Sequence, residues 1–458
     1  MRPVTAQWIA NAVSGELAAE VDALITSVEK DSREVLPGAL YVAFVGERVD
    51  GHDYAPQAFA SGASLALVSQ PVAGPHVLVE DVAAALGRLA RAYLALLRTE
   101  GDLTVVGITG SNGKTSTKDL LAQILPAVVA PVGSFNNEIG LPLTVLRADP
   151  DTRHLVLEMG ASAPGDLAYL TDIAPLDIAV VLTVGSAHLG GYGSPEALAE
   201  EKATLLDGLV PGGVALLNAD DARVVAMRER AVLTHDGRQA RTFGTTAGAD
   251  VLAERVRLDR GRAAFEVDEH AVALRLVGEH HVTNAMAAIS VGLACGLPIG
   301  DVTALVSHAT ALSAHRMALT ERADGVWILD DSYNASPESM RAALRALKEV
   351  ATTGRSFAVV GEMREMGDAS RAGHEEVGLD AVRLRIDHLL VVGEGAKPAY
   401  ASAVREGSWG DEAAYVATID EARAFLDGRL SAGDTVLIKA SHGSGLWKLA
   451  DDLLGVNA

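Results

Sequence analysis

The chain has 458 residues, and at roughly 100 to 200 residues per domain that length predicts about three domains. A hydrophobic share of 49% against 21% charged residues excludes a disordered chain. A net charge of −22 with only 4% aromatic residues argues against nucleic-acid binding, which needs a basic face and stacking rings, yet leaves room for an anionic small substrate held by a few focused cations.

The opening segment MRPVTAQWIANAVSGEL has helical apolar spacing and lacks the charged start and unbroken apolar core of a signal peptide. Residues 1–100 form a first unit that closes with a helix over Val82–Leu97, where Leu86, Leu89, Ala90, Tyr93, Leu94 and Leu97 recur at helical spacing. Residues 98–102 read as a linker. A second unit, 101–313, begins with an apolar strand over Leu103–Thr109, then the loop GITGSNGKT (Gly107 to Thr115), then a helix over Ser116–Leu125. Strands over His154–Glu158, Ile178–Val184 and Val214–Asn218 follow, each leading into a segment that can form a helix, which is the pattern of a parallel sheet. Val282–Ile299 is apolar but interrupted by Thr283, Asn284 and Pro298, so it reads as a buried helix rather than a membrane span. Cys295, the single cysteine, sits in that stretch, cannot form an intrachain disulfide and reads as core packing. Together these features predict a cytoplasmic protein. A third unit, 314–458, has strands over Trp327–Asp330, Phe357–Gly361, Leu389–Gly393 and Val436–Lys439 separated by helices, a second doubly wound sheet. Pro337 is placed to open one of those helices.

The glycine loop between a strand and a helix is a phosphate cradle: backbone amides face the oxygens, the Lys114 ammonium reaches the terminal phosphates and the Thr115 hydroxyl can ligate magnesium. Its spacing is GxxGxxGKT, not GxxxxGK[ST], and the competing reading is a glycine-rich turn with an exposed lysine. Glu158 closes one strand and His188 lies in the loop after the next, so both are expected at the edge that carries the phosphate loop. Lone residues have plainer readings. His188 reads as a surface histidine and Lys202 as a solvated helix lysine.

Taken together, GITGSNGKT, FNNEIGLP, LEMGA, GSAHLGGYGS, Lys202, GEHHVTNAMAA and SAHRM resemble the ATP-dependent Mur ligases of peptidoglycan precursor synthesis, relatives of the folylpolyglutamate synthetases, over nearly the whole chain. The resemblance implies an α/β protein of three domains: a small N-terminal UDP-sugar-binding domain (1–100), a central P-loop ATPase with a parallel sheet (101–313) and a C-terminal Rossmann-like doubly wound domain (314–458). It implies ATP binding by Gly110, Ser111, Asn112, Gly113, Lys114, Thr115, Ser116, Asn284, Arg316, Asp331, Tyr333 and Asn334. Magnesium would be held by Thr115, Glu158, His188 and Lys202, the last matching the lysine that several members carbamylate. Lys114, His188, Lys202, Arg316 and Asp331 take the catalytic roles.

Four segments point to one branch of the family. DSREVLPGALYVAFVGERVDGHDYA is similar to its UDP-binding domain, with Ser32 and Arg33 as candidates for the nucleotide-sugar contact, and the resemblance counts Asn136 and Asn137 of FNNEIGLP among the substrate-binding residues. DDSYNASPESM, VVGEMREMGDASRAGHEEVG and VLIKASHGSGLWKL resemble the branch that joins D-alanyl-D-alanine to UDP-N-acetylmuramoyl-tripeptide through an acyl phosphate, and a DNPR-type motif is absent. A monomer with no nucleic-acid partner and no membrane insertion is expected. His281, Ser336, His442 and Thr204 depart from the family's common residues. The alternatives are a sibling ligase, a folylpolyglutamate-type ligase, against which DSRE and DDSYNASP argue, and a nucleotide-hydrolysing switch, which has no need of a second, UDP-like domain.

Overall fold

The computed structural model describes residues 1–18, 22–46, 49–185, 192–407 and 412–456. Five short strands, β1 (Glu16–Leu17), β2 (Ser27–Glu29), β3 (Ala39–Val42), β4 (Leu65–Val68) and β5 (His76–Leu78), form a first sheet in the order β1-β5-β4-β3-β2, parallel except between β1 and β5. Every residue of β3 and β4 is buried, as in parallel strands covered on both faces. Helix α1 (Ala6–Val13) buries Ala6, Ile9, Ala10 and Val13, and Thr5 caps it by accepting from the Trp8 amide at 3.1 Å. Helix α2 (Val82–Arg98) is capped by Asp81 and buries Leu86, Leu89, Leu94 and Leu97, each worth about 2 kcal/mol in transfer from water. These leucines belong to a core continuous with the central sheet, and Arg98 pairs with Asp177 at 2.8 Å, so α2 docks the first domain onto the second.

The central sheet is parallel throughout. Its strands are β6 (Thr104–Thr109), β7 (Val128–Val129), β8 (His154–Glu158), β9 (Leu176–Val181), β10 (Leu209–Asn218), β11 (Gln239–Gly244) and β12 (Val251–Leu252), in the order β12-β11-β10-β9-β6-β8-β7. The chain leaves β6 for β7 and β8 on one side and then crosses to β9 on the other, so the carboxyl end of β6 is the topological switch point where such sheets bind ligands. Helices α3 (Lys114–Ile124), α4 (Gly140–Val145), α5 (Asp166–Ile173) and α6 (Pro195–Ala203) cover the faces.

Strand β9 stops at Val181, three residues short of the sequence expectation. Beyond it the regular ladder ends, and side chains help to hold the chain: Asn218 Nδ2 donates to the Leu182 carbonyl at 2.8 Å and the Val184 amide donates to Asp221 at 2.8 Å. Strand β10 begins five residues earlier than expected, since Gly212 in the left-handed region and an irregular register against β9 let Pro211–Gly213 stay in the strand. A three-stranded antiparallel sheet of β13 (Glu254–Asp259), β14 (Arg262–Val267) and β15 (His270–Val277) follows, which the sequence reading lacks. Helix α7 (His281–Ala294) is buried along almost its whole length, and α8 (Ile299–His308) packs beside it. Cys295, just after α7, is half-buried, and burial pushes its thiol up to about 11, an inert packing residue.

The C-terminal sheet comprises β16 (Ala318–Glu321), β17 (Trp327–Asp331), β18 (Ser356–Val360), β19 (His388–Val392), β20 (Ala413–Val416) and β21 (Thr435–Lys439) in the order β16-β17-β21-β18-β19-β20, with only β16 antiparallel. Helices α9 (Pro337–Val350), α10 (Ser370–Arg383), α11 (Lys397–Glu406), α12 (Ile419–Leu426) and α13 (Trp447–Leu454) flank it. Met340, Ala343, Leu344 and Leu347 form the buried stripe of α9, and Ser336, one of the departures from family text, is its N-cap in a capping box with Ser339. No helix among the described residues is long and apolar enough to cross a membrane.

The crossing from central to C-terminal domain is anchored on α3. Asp119 accepts from the Ser313 amide at 2.9 Å and hydroxyl at 3.0 Å, Lys118 donates to the same hydroxyl, and Gln123 bonds Thr310 through both ends of its amide.

Candidate active site

Gly113 is the N-cap of α3, with φ 88, and a Cβ added there would collide with the Asn284 side chain. Helix α3 thus starts at Lys114, two residues earlier than expected, and the amides of its first turn have no carbonyl of the helix to serve. The rest of the loop is laced to the chain after β9: the Ser111 amide donates to Thr183 O at 2.9 Å, the Asn112 amide to Thr183 Oγ1 at 3.3 Å, and Ser111 Oγ accepts from the Gly185 amide at 2.8 Å. Lys114 Nζ donates to the Gly110 carbonyl at 2.6 Å. Crowding by protein lowers its pKa, Glu158 opposes that shift and Arg316 adds to it. Its charge is held where an anion gains most from it.

Glu158, 2% exposed at the end of β8, is the centre of the polar cluster. Its Oε2 accepts from Thr115 Oγ1 at 3.0 Å and its Oε1 from Asn136 Nδ2 at 3.1 Å. Ser134 Oγ stands 3.2 Å from Thr115 Oγ1, and Arg316 Nη2 reaches Ser134 at 3.3 Å and Thr115 at 3.4 Å from the far side. The Arg316 guanidinium lies over the Tyr333 ring at 4.3 Å. A cavity of about 290 Å³ opens on this cluster and is lined by Lys114, Thr115, Glu158, Lys202, Arg316 and Asn334 among others. Lys202 departs from its plain reading as a solvated lysine: it is 2% exposed, and none of the described residues hydrogen-bonds its amine. Burial, then repulsion from Lys114, brings its pKa down to about 7 against the pull of Glu201. Glu201 is itself occupied, accepting from the Gly165 and Leu167 amides at 2.8 and 3.0 Å to cap α5.

A second cavity of about 320 Å³ adjoins the first across Asn112, Gly113, Ser116, Arg316 and Asn334, and runs between the central and C-terminal domains. Asn284, Asp331 and Lys439 face it. Asn284 Nδ2 lies 3.2 Å from His281 Nδ1, and burial keeps His281 neutral, so the imidazole accepts from the amide and fixes its orientation. Asp331 and Lys439 are register partners on β17 and β21. Lys439 Nζ donates to Asp331 Oδ2 at 2.5 Å and to the Asn334 carbonyl at 2.8 Å, while Asp331 Oδ1 accepts from the Met317 amide at 3.3 Å. Asp331 therefore reaches the cavity already paired. Lys439 was not singled out in the sequence, although a lysine ending the apolar run TVLIK is the signal for it.

The other expected residues are scattered. Ser32 is buried in the first domain, while the Arg33 side chain is exposed and forked onto Asp31 at 2.5 and 2.9 Å, holding that carboxyl down at about 2. Asn137 accepts from the Gly140 amide at 2.9 Å and so spends its side chain on the start of α4. His188 lies outside the described residues. Among the described residues no group of three or more His, Cys, Asp and Glu side chains gathers as a metal cage. The oxygen pair of Thr115 and Glu158, open to the cavity, has the hard-donor chemistry of a magnesium site completed by phosphates and water.

A phosphate cradle on the central sheet, faced by a second α/β domain, defines an ATP-using protein of the Mur ligase type, and the comparisons with known proteins agree. Residues 24–94 match the Mur ligase family catalytic domain, 108–292 the Mur ligase middle domain and 315–442 the Mur ligase glutamate ligase domain. The chain belongs to the Mur ligase family. Within it, the chain is 44% identical to the UDP-N-acetylmuramoyl-tripeptide–D-alanyl-D-alanine ligase of Mycobacterium bovis, over 93% of this chain and 92% of that one. It is 33% identical to the ligase of the same description from Bacillus subtilis, over 98% of each. Its fold superposes on crystal structure I of MurF from Acinetobacter baumannii with a TM-score of 0.88 at 29% identity, over 99% of each chain. A MurF ligase from Thermotoga maritima solved in complex with ADP matches with a TM-score of 0.78 at 30% identity, over 94% of this chain and 98% of that one.

Proposed function

We propose that this chain ligates D-alanyl-D-alanine to UDP-N-acetylmuramoyl-tripeptide with hydrolysis of ATP to ADP and phosphate. The single observation that carries the reading is the convergence of Lys114, Thr115, Glu158, Lys202 and Arg316 on one cavity, in a chain whose relatives bear that activity over more than nine-tenths of its length. The carboxylate of the tripeptide resists amines because its charge repels nucleophiles and oxide is a poor leaving group. Transfer of the γ-phosphoryl group to it forms an acyl phosphate, the amine of the dipeptide adds to the acyl carbon, and phosphate leaves. Bringing two anions together is the difficulty, and Lys114 and Arg316 offset their charge from opposite sides.

Magnesium, held by Thr115 and Glu158, would supply further charge neutralisation on the phosphates. Lys202, neutral for much of the time near pH 7, is suited to take carbon dioxide as a carbamate, which would present an anion toward the same place. Asn284 and the cavity beside it suit the nucleoside end of ATP, and Tyr333 and Asn334 line the path between domains. Ser32, Arg33, Asn136 and Asn137 are assigned to the UDP-sugar substrate by the family resemblance.

The test is ligation with purified substrates, scored by product mass and ADP release. ADP release that does not rise when tripeptide and dipeptide are present together, or absence of the pentapeptide mass, refutes the reading.

A further inference from the structure

Arg316 touches the phosphate cavity, the adjoining nucleoside-sized cavity and a third cavity of about 620 Å³ beside α3. The backbone that presents it is held in an unusual shape. On either side, His315 (φ 60) and Met317 (φ 51) both occupy the left-handed region, where a side chain crowds its own carbonyl. Such a conformation persists only when neighbours over-determine it, and here two consecutive carboxylates at the end of β17 do so. Asp330 Oδ2 lies 2.7 Å from His315 Nδ1, and Asp331 Oδ1 accepts from the Met317 amide. The Tyr333 amide adds a bond to the His315 carbonyl at 3.2 Å.

Neither carboxylate can swing away easily. Asp330 Oδ1 accepts from the Ser332 hydroxyl at 2.6 Å and amide at 3.1 Å, and Asp331 Oδ2 is tied to Lys439. Because Nδ1 faces a carboxylate, it carries the ring proton and donates. Arg316 makes only long hydrogen bonds, to Ser134 and Thr115, its guanidinium rests on the Tyr333 ring face, and its buried Nε has no partner among the described residues, so no short directional bond at the tip of the side chain fixes where the guanidinium sits. Its position is set from behind. A rotation of about 15° at residue 315 moves a guanidinium roughly 7 Å away by about 2 Å, and a misplacement of about 1 Å can lower a rate about a hundredfold.

We propose that His315, through its Nδ1 hydrogen bond to Asp330, is a positioning residue for Arg316 that holds the guanidinium at the phosphate cavity. The inference rests on the ligase reading for its kinetic arm and stands apart from it in its binding arm.

The experiment is a double-mutant cycle. His315→Ala and His315→Asn are made in the wild-type chain and in Arg316→Lys, and each is measured for kcat, for KM of the dipeptide, for thermal midpoint and for Kd of a non-hydrolysable ATP analogue. Expected is a kcat loss of about tenfold or more for His315→Ala with the dipeptide KM unchanged, and a loss below about twofold when Arg316 is already lysine. His315→Asn tolerates the left-handed backbone, can donate to Asp330, and restores most of the rate. Equal losses in both backgrounds, or asparagine failing to rescue although its thermal midpoint is wild-type, would overturn the proposal. If the wild-type chain forms no pentapeptide, the ligase reading falls. The same cycle read in analogue Kd then decides the coupling, with additive effects refuting it and non-additive ones sustaining it.

Discussion

Replacing Lys202 by methionine keeps the length of the side chain and removes its charge, which separates two consequences of burying an amine beside the phosphate loop. Burial and then Lys114 bring the Lys202 pKa from 10.5 to about 7. Near pH 7 about half of these amines are neutral, against about 0.03% for an ordinary lysine, so the free base that adds to carbon dioxide is enriched roughly a thousandfold. The same shift bears on stability. Between about 7 and 10.5 the unfolded chain binds more protons than the folded one, so stability rises with pH through that window and is lowest below it. A drop of about 3.5 in pKa corresponds to up to about 5 kcal/mol.

At about pH 6 the penalty is complete, and Lys202→Met stabilises the protein by up to that amount; by about pH 9 the gain shrinks to about 2 kcal/mol. Turnover, by contrast, falls about a hundredfold or more, and in Lys202→Ala, which leaves the space that methionine fills, short carboxylates recover part of it. Denaturant unfolding of both proteins at the two pH values, in buffer stripped of carbon dioxide and magnesium, measures the first effect. Carbon-13 bicarbonate, which should give a carbamate resonance only in the wild type, measures the second. A variant that unfolds at the wild-type denaturant concentration at both pH values would show that the ammonium carries no burial penalty, and would refute the argument.

Gly113→Ala forces a methyl group against Asn284 at φ 88 and should raise the nucleotide Kd at least about tenfold while destabilising the fold by about 1–3 kcal/mol, read by calorimetry and melting. Lys439→Met leaves Asp331 buried without its cation and should destabilise by about 3–5 kcal/mol, whereas Lys439→Met with Asp331→Asn recovers much of the loss; denaturant midpoints of the four proteins in the cycle decide it. Ser336→Ala removes the N-cap of α9 and should lower stability by about 1 kcal/mol, read as a lower denaturant midpoint.

The phosphate loop and the strands around it were legible because a fully buried parallel strand writes itself as an unbroken apolar run, and Thr104–Thr109, His154–Glu158 and Thr435–Lys439 are such runs. The antiparallel strands β13–β15 were missed for the opposite reason. They alternate, as Ala263, Phe265 and Val267 inward and Arg262, Ala264 and Glu266 outward show, and their many charges resemble a loop until the two-residue turns at Arg260–Gly261 and Asp268–Glu269, all at positive φ, are recognised. The burial of Lys202 was invisible because it depends on where α6 ends against the sheet, not on its helical neighbours. His315 and Asp330 are separated by a strand and a turn, so nothing local pairs them. Lys439 was overlooked although its position after three apolar residues, Val436 to Ile438, places it at the carboxyl end of a strand, where ligands gather.

Ser313 is fastened to α3 and His315 to β17, which leaves Ala314 as the only residue between two firmly held points. The fastening on α3 is about 8 Å along the helix from Lys114. A rotation of the C-terminal domain about Ala314 would therefore pivot close to the phosphate loop. Arg316 sits near the hub and travels a short arc, whereas β20 at the rim sweeps a long one. Such a rotation would be geared down from a wide displacement at β20 to a fine one at the phosphate loop.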